Sequence, residues 1–211
     1  MGHAERLESF FTLDRSSVAI VLVDFQADFC APGAFGVDPP VNTHNAAAAQ
    51  RANGVAEAAR HLGVRTIYTR QILDLEHLSP RQRRWEESSL LCRAGTPGAE
   101  LFLDPVEGSA VIDKWRFDVW QSEQFINLME HWGIDGLVIG GVELQCCVLY
   151  AVLGAEERGY HYVVGQDLVS GLDDCDATSN RAVLDYLSFV HPCVDDSQLL
   201  LERWSRRIDR N

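Results

Sequence analysis

A glycine recurs in this chain between a stretch of helix length and an apolar run of strand length, and this alternation limits the folds open to it. Gly63 precedes the run 64–68, Gly159 precedes the run 160–164, and Gly133 holds the same place before a third run. Glycine just past a helix end adopts the left-handed conformation at little cost. Helix, glycine and strand, three times over, indicate βαβ units with right-handed crossovers. The sequence therefore predicts an α/β fold with a doubly wound, Rossmann-like and mostly parallel sheet.

The expected sheet has six strands and carries helices on both faces. Strands are predicted at 17–24, 64–69, 109–114, 136–140, 160–165 and 189–194, and helices at 44–62, 121–132, 147–158, 177–187 and 197–206. The chain has 211 residues, of which 46% are hydrophobic, and this is enough for one substantial core. We therefore predict a single domain over residues 1–211.

The charge of the chain argues against two classes of partner. Its 18 basic and 31 acidic side chains give a net charge of −13, which disfavours binding to nucleic acid or to an anionic membrane surface. Residues 1–14 are polar and contain no apolar run typical of a signal peptide, so a cytoplasmic location is expected. The six cysteines lack paired C-x-x-C spacing, which predicts reduced thiols.

Three reactive side chains lie at or just past the predicted ends of buried strands. Asp24 ends the first strand, Lys114 ends the third, and Cys147 follows the fourth by a few residues. Each alone has an ordinary explanation as a turn former, a surface lysine or a small buried residue. Together they point to one site, because ligands collect at the carboxyl ends of parallel strands. An acid, a cation and a thiol gathered there predict catalysis by a cysteine nucleophile.

Two segments interrupt the alternation on the same side of the sheet. Residues 26–42 contain prolines and a glycine that restrict the backbone, and residues 71–108 are far longer than the usual connection of ~4–6 residues. Long loops of this kind are often lids or binding elements. We expect these two segments to form the walls of a pocket.

The residues around the trio resemble the isochorismatase-like cysteine hydrolase superfamily, which includes nicotinamidases, N-carbamoylsarcosine amidases and ureide hydrolases. The similar motifs are V-D-F-Q-A-D-F-C-A-P-G at 23–33, G-T-P-G-A-E-L at 95–101 and G-V-E-L-Q-C-C-V at 141–148. The register of the third motif assigns the nucleophile to Cys147 rather than to Cys146. The resemblance also implies a cis peptide between Val142 and Glu143, and a homo-oligomer such as a dimer or a tetramer.

This chemistry is consistent with the three side chains. Asp24 is the expected general base, Lys114 holds that carboxylate and moderates its charge, and Cys147 attacks a carbonyl to form a thioester. Because Cys147 opens a predicted helix and lies near a cation, we expect the thiolate to be favoured. The backbone N–H groups of Cys147 and of the turn near Glu143 are the expected oxyanion donors.

Departures from the superfamily pattern leave the substrate open. Leu144 stands where threonine is common. The carboxylate of Glu143 either recognises a cationic or donor-rich group of the substrate, or turns outward, or forms a structural bond. Four aromatic residues are candidates for an apolar pocket wall, although for any one of them a place in the core is somewhat more typical: Phe29, Trp115, Phe117 and Trp120.

No metal or other cofactor is expected. Nicotinamidases of the superfamily carry a D-x-H-x-x-x-H metal motif, and the matching positions here are Gln71, Leu73 and His77, so that one ligand survives. A pair of Asp74 with His77 still leaves a metal short of ligands. These positions argue against nicotinamidase activity, and the presence of Cys147 argues against cleavage of the isochorismate vinyl ether.

The sequence thus predicts an enzyme that cleaves a C–N bond of a small amide, ureide or carbamoyl compound. Three alternatives remain: a ligand-binding or assembly protein with a vestigial triad, a vinyl-ether hydrolase of the isochorismatase type, and a redox-active thiol pair at Cys146 and Cys147. A hyperreactive Cys147 would favour the enzyme over the vestigial site.

Overall fold

The computed structural model describes residues 2–32, 43–84, 90–171 and 178–206. The strands are β1 (Val18–Val23), β2 (Arg65–Gln71), β3 (Ala110–Lys114), β4 (Gly136–Gly141), β5 (His161–Val169) and β6 (Cys193–Val194). The helices are α1 (His3–Thr12), α2 (Ala27–Cys30), α3 (Thr43–His61), α4 (Glu123–Trp132), α5 (Leu149–Glu157), α6 (Thr178–Val190) and α7 (Gln198–Arg206). A short π-helical turn, Leu144–Val148, leads into α5.

The six strands form one sheet in the order β3-β2-β1-β4-β5-β6, and every neighbouring pair is parallel. The strand order reverses between β1 and β4, so the chain leaves these two neighbouring strands in opposite directions along the sheet. A crevice forms at such a switch point, outside the carboxyl ends of the strands. The predicted α/β fold with a parallel sheet is confirmed.

The central strands are buried on both faces, as their continuous apolar sequences require. All six residues of β1 are buried, and so are all six of β4. Side chains of β1 alternate between two cores: Ile20 and Leu22 pack with α1, α3 and α7, and Val21 packs with α4, α5 and α6. The glycine junctions are confirmed too, since Gly63 and Gly133 have φ of 84° and 61°, in the left-handed region.

Three elements differ from their prediction. The predicted strand 189–194 is only Cys193–Val194, because α6 continues through Phe189 to Val190. The sequence predicted only a polar segment at residues 1–14. The structure has the helix His3–Thr12 there, and its Phe10 and Phe11 are buried in the core. The helix predicted from 147 begins instead with the π-helical turn that contains Cys147.

Polar contacts join the first helix, α1, to α5 and to β5. Arg6 forms a salt bridge with Glu156 of α5 and donates a hydrogen bond to the Tyr162 hydroxyl at 3.1 Å. Its guanidinium also lies 5.3 Å from the centre of the Tyr162 ring. These contacts tie α1 to the amino end of β5, the end of the sheet away from the carboxyl edge. Within the described part of the chain, no helix has the length and apolar character needed to cross a bilayer.

Candidate active site

Asp24 and Lys114 form a fully buried ion pair at the carboxyl edge of the sheet. Nζ of Lys114 lies 2.6 Å from Oδ2 of Asp24, and their side chains are 1% and 0% exposed. Burial alone lowers the pKa of a lysine, but the negative charge of Asp24 outweighs it and raises the pKa of Lys114 above its usual value. Lys114 therefore remains protonated at neutral pH. Its ammonium also donates to the carbonyl oxygen of Arg116 at 3.0 Å.

The backbone turns sharply at Asp24, which directly follows β1. Its φ is 53°, in a region that non-glycine residues rarely adopt and that costs about 1–3 kcal/mol. The neighbouring strand β2 holds this conformation through Thr69: the Asp24 amide lies 3.2 Å from the Thr69 carbonyl oxygen, and the Thr69 hydroxyl donates to Asp24 Oδ1 at 2.6 Å. The carboxylate is thus fixed by residues from two other strands.

Cys147 occupies the π-helical turn after β4, and its side chain is buried. The residue is 3% exposed, and its Sγ donates to Oε1 of Gln71 at 3.5 Å. Burial raises the pKa of the Cys147 thiol well above its usual value, the negative charge of Asp24 raises it further, and Lys114 opposes these effects only in part. The expectation of a favoured thiolate is therefore wrong for the ligand-free protein, whose thiol is protonated.

The peptide bond between Val142 and Glu143 is cis, at the position that the resemblance implied. Glu143 is 5% exposed, so its carboxylate does not turn outward to solvent. Nδ2 of Asn45, from α3, donates to Glu143 Oε1 at 2.8 Å and also to the carbonyl oxygen of Phe29 at 2.9 Å. Glu143 therefore forms the structural bond that was one of its three expected roles.

The first and second motifs are joined by the side chain of Gln26. Its Nε2 donates to the carbonyl oxygens of Gln71 and Ala99 at 2.9 and 2.7 Å, and its Oε1 accepts from the Gln71 amide at 2.7 Å. Gly98 of the second motif packs directly on Asp28, where an added Cβ would lie 2.1 Å from the carboxylate. Residues 95–101 thus brace the segment that follows Asp24.

The aromatic candidates for a pocket wall separate into two groups. Trp115 is 40% exposed and stacks on His77 with ring centres 4.3 Å apart. Trp120 is buried, donates from Nε1 to the Ala151 carbonyl oxygen at 3.0 Å and packs edge-on against Phe125. Its ring therefore belongs to the core beneath α5 rather than to a pocket wall, which corrects the expectation for this residue.

The other two aromatic candidates lie in different surroundings. Phe29 is buried among the residues that pack against α3. Phe117 is 43% exposed beside Tyr150. A cavity of about 190 Å³ lies against Lys114. It is lined by His77, Lys114, Trp115, Arg116, Asp118 and Ser122, with Gln121 completing the wall.

The positions that match the nicotinamidase metal motif hold side chains with other roles. Gln71 contacts Cys147, Leu73 is buried with Leu78 and Leu90, and His77 directs Nδ1 to Asp74 Oδ1 at 2.7 Å. In the described ranges, no three His, Cys, Asp or Glu side chains are grouped so as to hold a metal ion. The donor set does not fit the metal of that motif, and the absence of a metal stays a prediction.

Three residues that contact the predicted site were not singled out as candidates from the sequence. Thr69 donates to Asp24, Gln71 accepts from Cys147, and Asn45 holds Glu143. Gln71 had been considered only as a lost metal ligand. Its position at the end of β2, between the strands that lead to Asp24 and to Lys114, was the available signal.

The comparisons with known proteins agree with the fold. The isochorismatase domain model matches residues 18–191. A solved structure of a cysteine hydrolase from Pseudomonas syringae pv. phaseolicola 1448A has a TM-score of 0.80 at 18% identity, with 92% of this chain and 95% of that chain covered.

Two further solved structures are similar over most of their length. An isochorismatase family protein from Desulfovibrio vulgaris subsp. vulgaris str. Hildenborough has a TM-score of 0.72 at 26% identity, covering 87% of this chain and 96% of its own. A pyrazinamidase of Pyrococcus horikoshii, solved in complex with zinc, has a TM-score of 0.68 at 24% identity, covering 84% and 98%. Because the domain model spans most of the chain and contains all three reactive residues, the protein belongs to the isochorismatase family.

Proposed function

We propose that this protein hydrolyses a C–N bond of a small amide, ureide or carbamoyl compound, with Cys147 as the nucleophile. The observation that carries the proposal is the buried ion pair of Asp24 and Lys114, with Oδ2 and Nζ 2.6 Å apart. Both charges act on the Cys147 thiol, which is 3% exposed: Asp24 raises the pKa of this thiol and Lys114 lowers it. A carboxylate, an ammonium and a thiol buried together are the groups that acyl transfer to a cysteine requires.

In the first half-reaction, the nucleophile forms only as the substrate reacts. Because the ligand-free thiol is protonated, Asp24 accepts its proton while Sγ of Cys147 attacks the substrate carbonyl carbon. Lys114 keeps its proton and balances the negative charge that remains in the site. The C–N bond then breaks, Asp24 returns the proton to the departing nitrogen, and an acyl thioester is left on Cys147.

The second half-reaction reverses the proton transfers. Asp24, now ionised again, accepts a proton from a water molecule that attacks the thioester carbonyl. The C–S bond breaks, and the proton returns to the sulfur as the acid product leaves. Each turnover consumes one water and restores the resting thiol, so no redox partner is needed.

The negative charge that develops on the substrate oxygen needs donors. We assign this role to the backbone N–H groups of Cys147 and Glu143, which lie after β4 at the switch point of the sheet. Loss of one such donor costs about 3–4 kcal/mol in a measured oxyanion hole. We assign binding of the rest of the substrate to Trp115, which lines the cavity against Lys114.

The test is product release from a panel of small amides, ureides and carbamoyl acids, measured as ammonia, for the wild type and for Cys147→Ala. We expect release from the wild type and none from this variant. Cys146→Ala is the matched control, because Cys146 is the adjacent thiol and the superfamily register excludes it as the nucleophile. Mass spectrometry after acid quenching should show an acyl group on Cys147.

Release that survives Cys147→Ala would contradict the proposal. Alkylation of Cys147 is a poorer test than turnover, because a buried thiol with a raised pKa reacts slowly near neutral pH even in a working site. An isochorismate-type vinyl ether, assayed for the carbonyl compound that its hydrolysis releases, tests the second candidate reaction. The homo-oligomer and the cytoplasmic location stay predictions, and light scattering of the purified protein measures the first of them.

A further inference from the structure

Thr69 lies in β2, next to the strand that leads to Asp24, and its side chain reaches into the triad. The residue is 0% exposed. Its Oγ1 lies 2.6 Å from Asp24 Oδ1 and 3.2 Å from the Asp24 amide nitrogen. The amide donates to Oγ1, so the single hydroxyl proton is directed to the carboxylate.

These contacts give the two carboxylate oxygens of Asp24 different roles. Oδ1 accepts the Thr69 hydroxyl proton, and Oδ2 faces the ammonium of Lys114. A hydroxyl that donates to a carboxylate stabilises its ionised form and fixes its rotation about the last side-chain bond. The carboxylate is thereby held from both sides, by Thr69 at one oxygen and by Lys114 at the other.

We propose that Thr69 is a positioning residue for the reaction, which holds the Asp24 carboxylate in the orientation that accepts the proton of Cys147. This inference rests on the proposed function. Thr69 itself touches no reacting atom, and it acts only through Asp24. Without its hydroxyl, the carboxylate loses a buried donor, and Lys114 alone holds its orientation.

The kinetic constants report this contact. Thr69 is uncharged, so a change there leaves Lys114 and Cys147 in place and removes only the donor to Oδ1. The orientation of the carboxylate matters when the proton of Cys147 moves and not when the substrate binds, so loss of the hydroxyl should lower kcat more than it changes KM.

The experiment compares Thr69→Val with Thr69→Ser. Valine keeps the branched shape of threonine and removes the hydroxyl, whereas serine keeps the hydroxyl. We expect kcat to fall about 10- to 100-fold in Thr69→Val, as loss of one charge-assisted hydrogen bond implies. KM should change less than threefold, and Thr69→Ser should regain most of the rate.

The same strand offers a matched control in Thr66. It is 4% exposed, and its Oγ1 has no hydrogen-bond partner among the described residues. Thr66→Val should therefore leave both kcat and KM unchanged. A fall in rate that is equal in Thr66→Val and Thr69→Val would reduce Thr69 to a structural role.

The outcomes separate this inference from the proposed function. Turnover that depends on Cys147 but is the same in Thr69→Val as in the wild type overturns the inference and leaves the proposed function intact. A loss of rate that is carried by KM alone, or that Thr69→Ser does not restore, also overturns it. Turnover in the wild type that survives Cys147→Ala overturns both.

Discussion

The buried ion pair of Asp24 and Lys114 predicts a large and strongly coupled effect on stability. Both side chains are at most 1% exposed, so neither charge can be hydrated if its partner is removed. Removal of one member of such a pair costs about 3–5 kcal/mol, whereas replacing both by neutral side chains of similar volume is often neutral or stabilising. We therefore expect Asp24→Asn and Lys114→Met each to lower the free energy of unfolding by about 3–5 kcal/mol.

The double variant shows whether the cost of each single change comes from leaving one buried charge without its partner. The amide oxygen introduced by Asp24→Asn can still accept from Thr69, and the thioether introduced by Lys114→Met fills the space of the lysine stem. The double variant should therefore lie within about 1 kcal/mol of the wild type. The free energies come from urea unfolding of the four proteins, extrapolated to water. All three variants should lack turnover.

A surface pair provides the control for this cycle. Arg181 and Asp185 are 2.9 Å apart on α6, but their side chains are 78% and 62% exposed. Their coupling should not exceed about 0.5 kcal/mol. The reasoning is refuted if Asp24→Asn and Lys114→Met each cost less than about 1 kcal/mol, or if their effects simply add in the double variant.

Two further predictions concern the thiol and the packing of α5. Burial raises the pKa of Cys147 in the folded protein, so the buried thiol contributes fully to stability below the usual thiol pKa of ~8.5. That contribution is lost as the pH rises above this value, because the unfolded chain then releases the thiol proton and the folded protein does not. In this range, urea unfolding should show the wild type losing about 1.4 kcal/mol per pH unit relative to Cys147→Ala. Gly154→Ala places a Cβ 2.0 Å from the Trp120 ring and should lower the melting temperature, with a cost of about 1–3 kcal/mol. Gly54→Ala, in α3 with open space around it, should instead stabilise by about 0.5–1 kcal/mol, and equal effects of the two changes would contradict the packing argument.

The strands were predictable where burial on both faces leaves a continuous apolar run. Residues 17–24 and 136–140 were predicted as strands, and the structure has the fully buried strands Val18–Val23 and Gly136–Gly141. The same rule failed at 189–194, because an apolar run of strand length also fits a helix. There α6 continues through Phe189, whose side chain is 84% exposed, so the apolar character of this residue does not reflect burial.

The site was predictable to the extent that it depends on strand ends. The expectation that Asp24, Lys114 and Cys147 meet required only a parallel sheet. The contacts of Thr69 and Gln71 depend on β2 lying beside both β1 and β3, and the strand order is a property of the whole fold. The protonated state of Cys147 was missed for a related reason, since burial depends on the packing of every neighbour and local sequence does not report it.

The contacts of Gln26 bear on how such a protein can change its substrate over evolution. Leu73 and Arg93 pair with each other, and Gln26 fixes the chain on either side of them, at Gln71 and at Ala99. Length and sequence between Leu73 and Arg93 can therefore vary without moving the carboxylate of Asp24. Insertions in that interval can change which substrate binds while the catalytic residues stay in place. A substitution at Gln26 would instead disturb the position of Asp24, whatever the sequence of the interval.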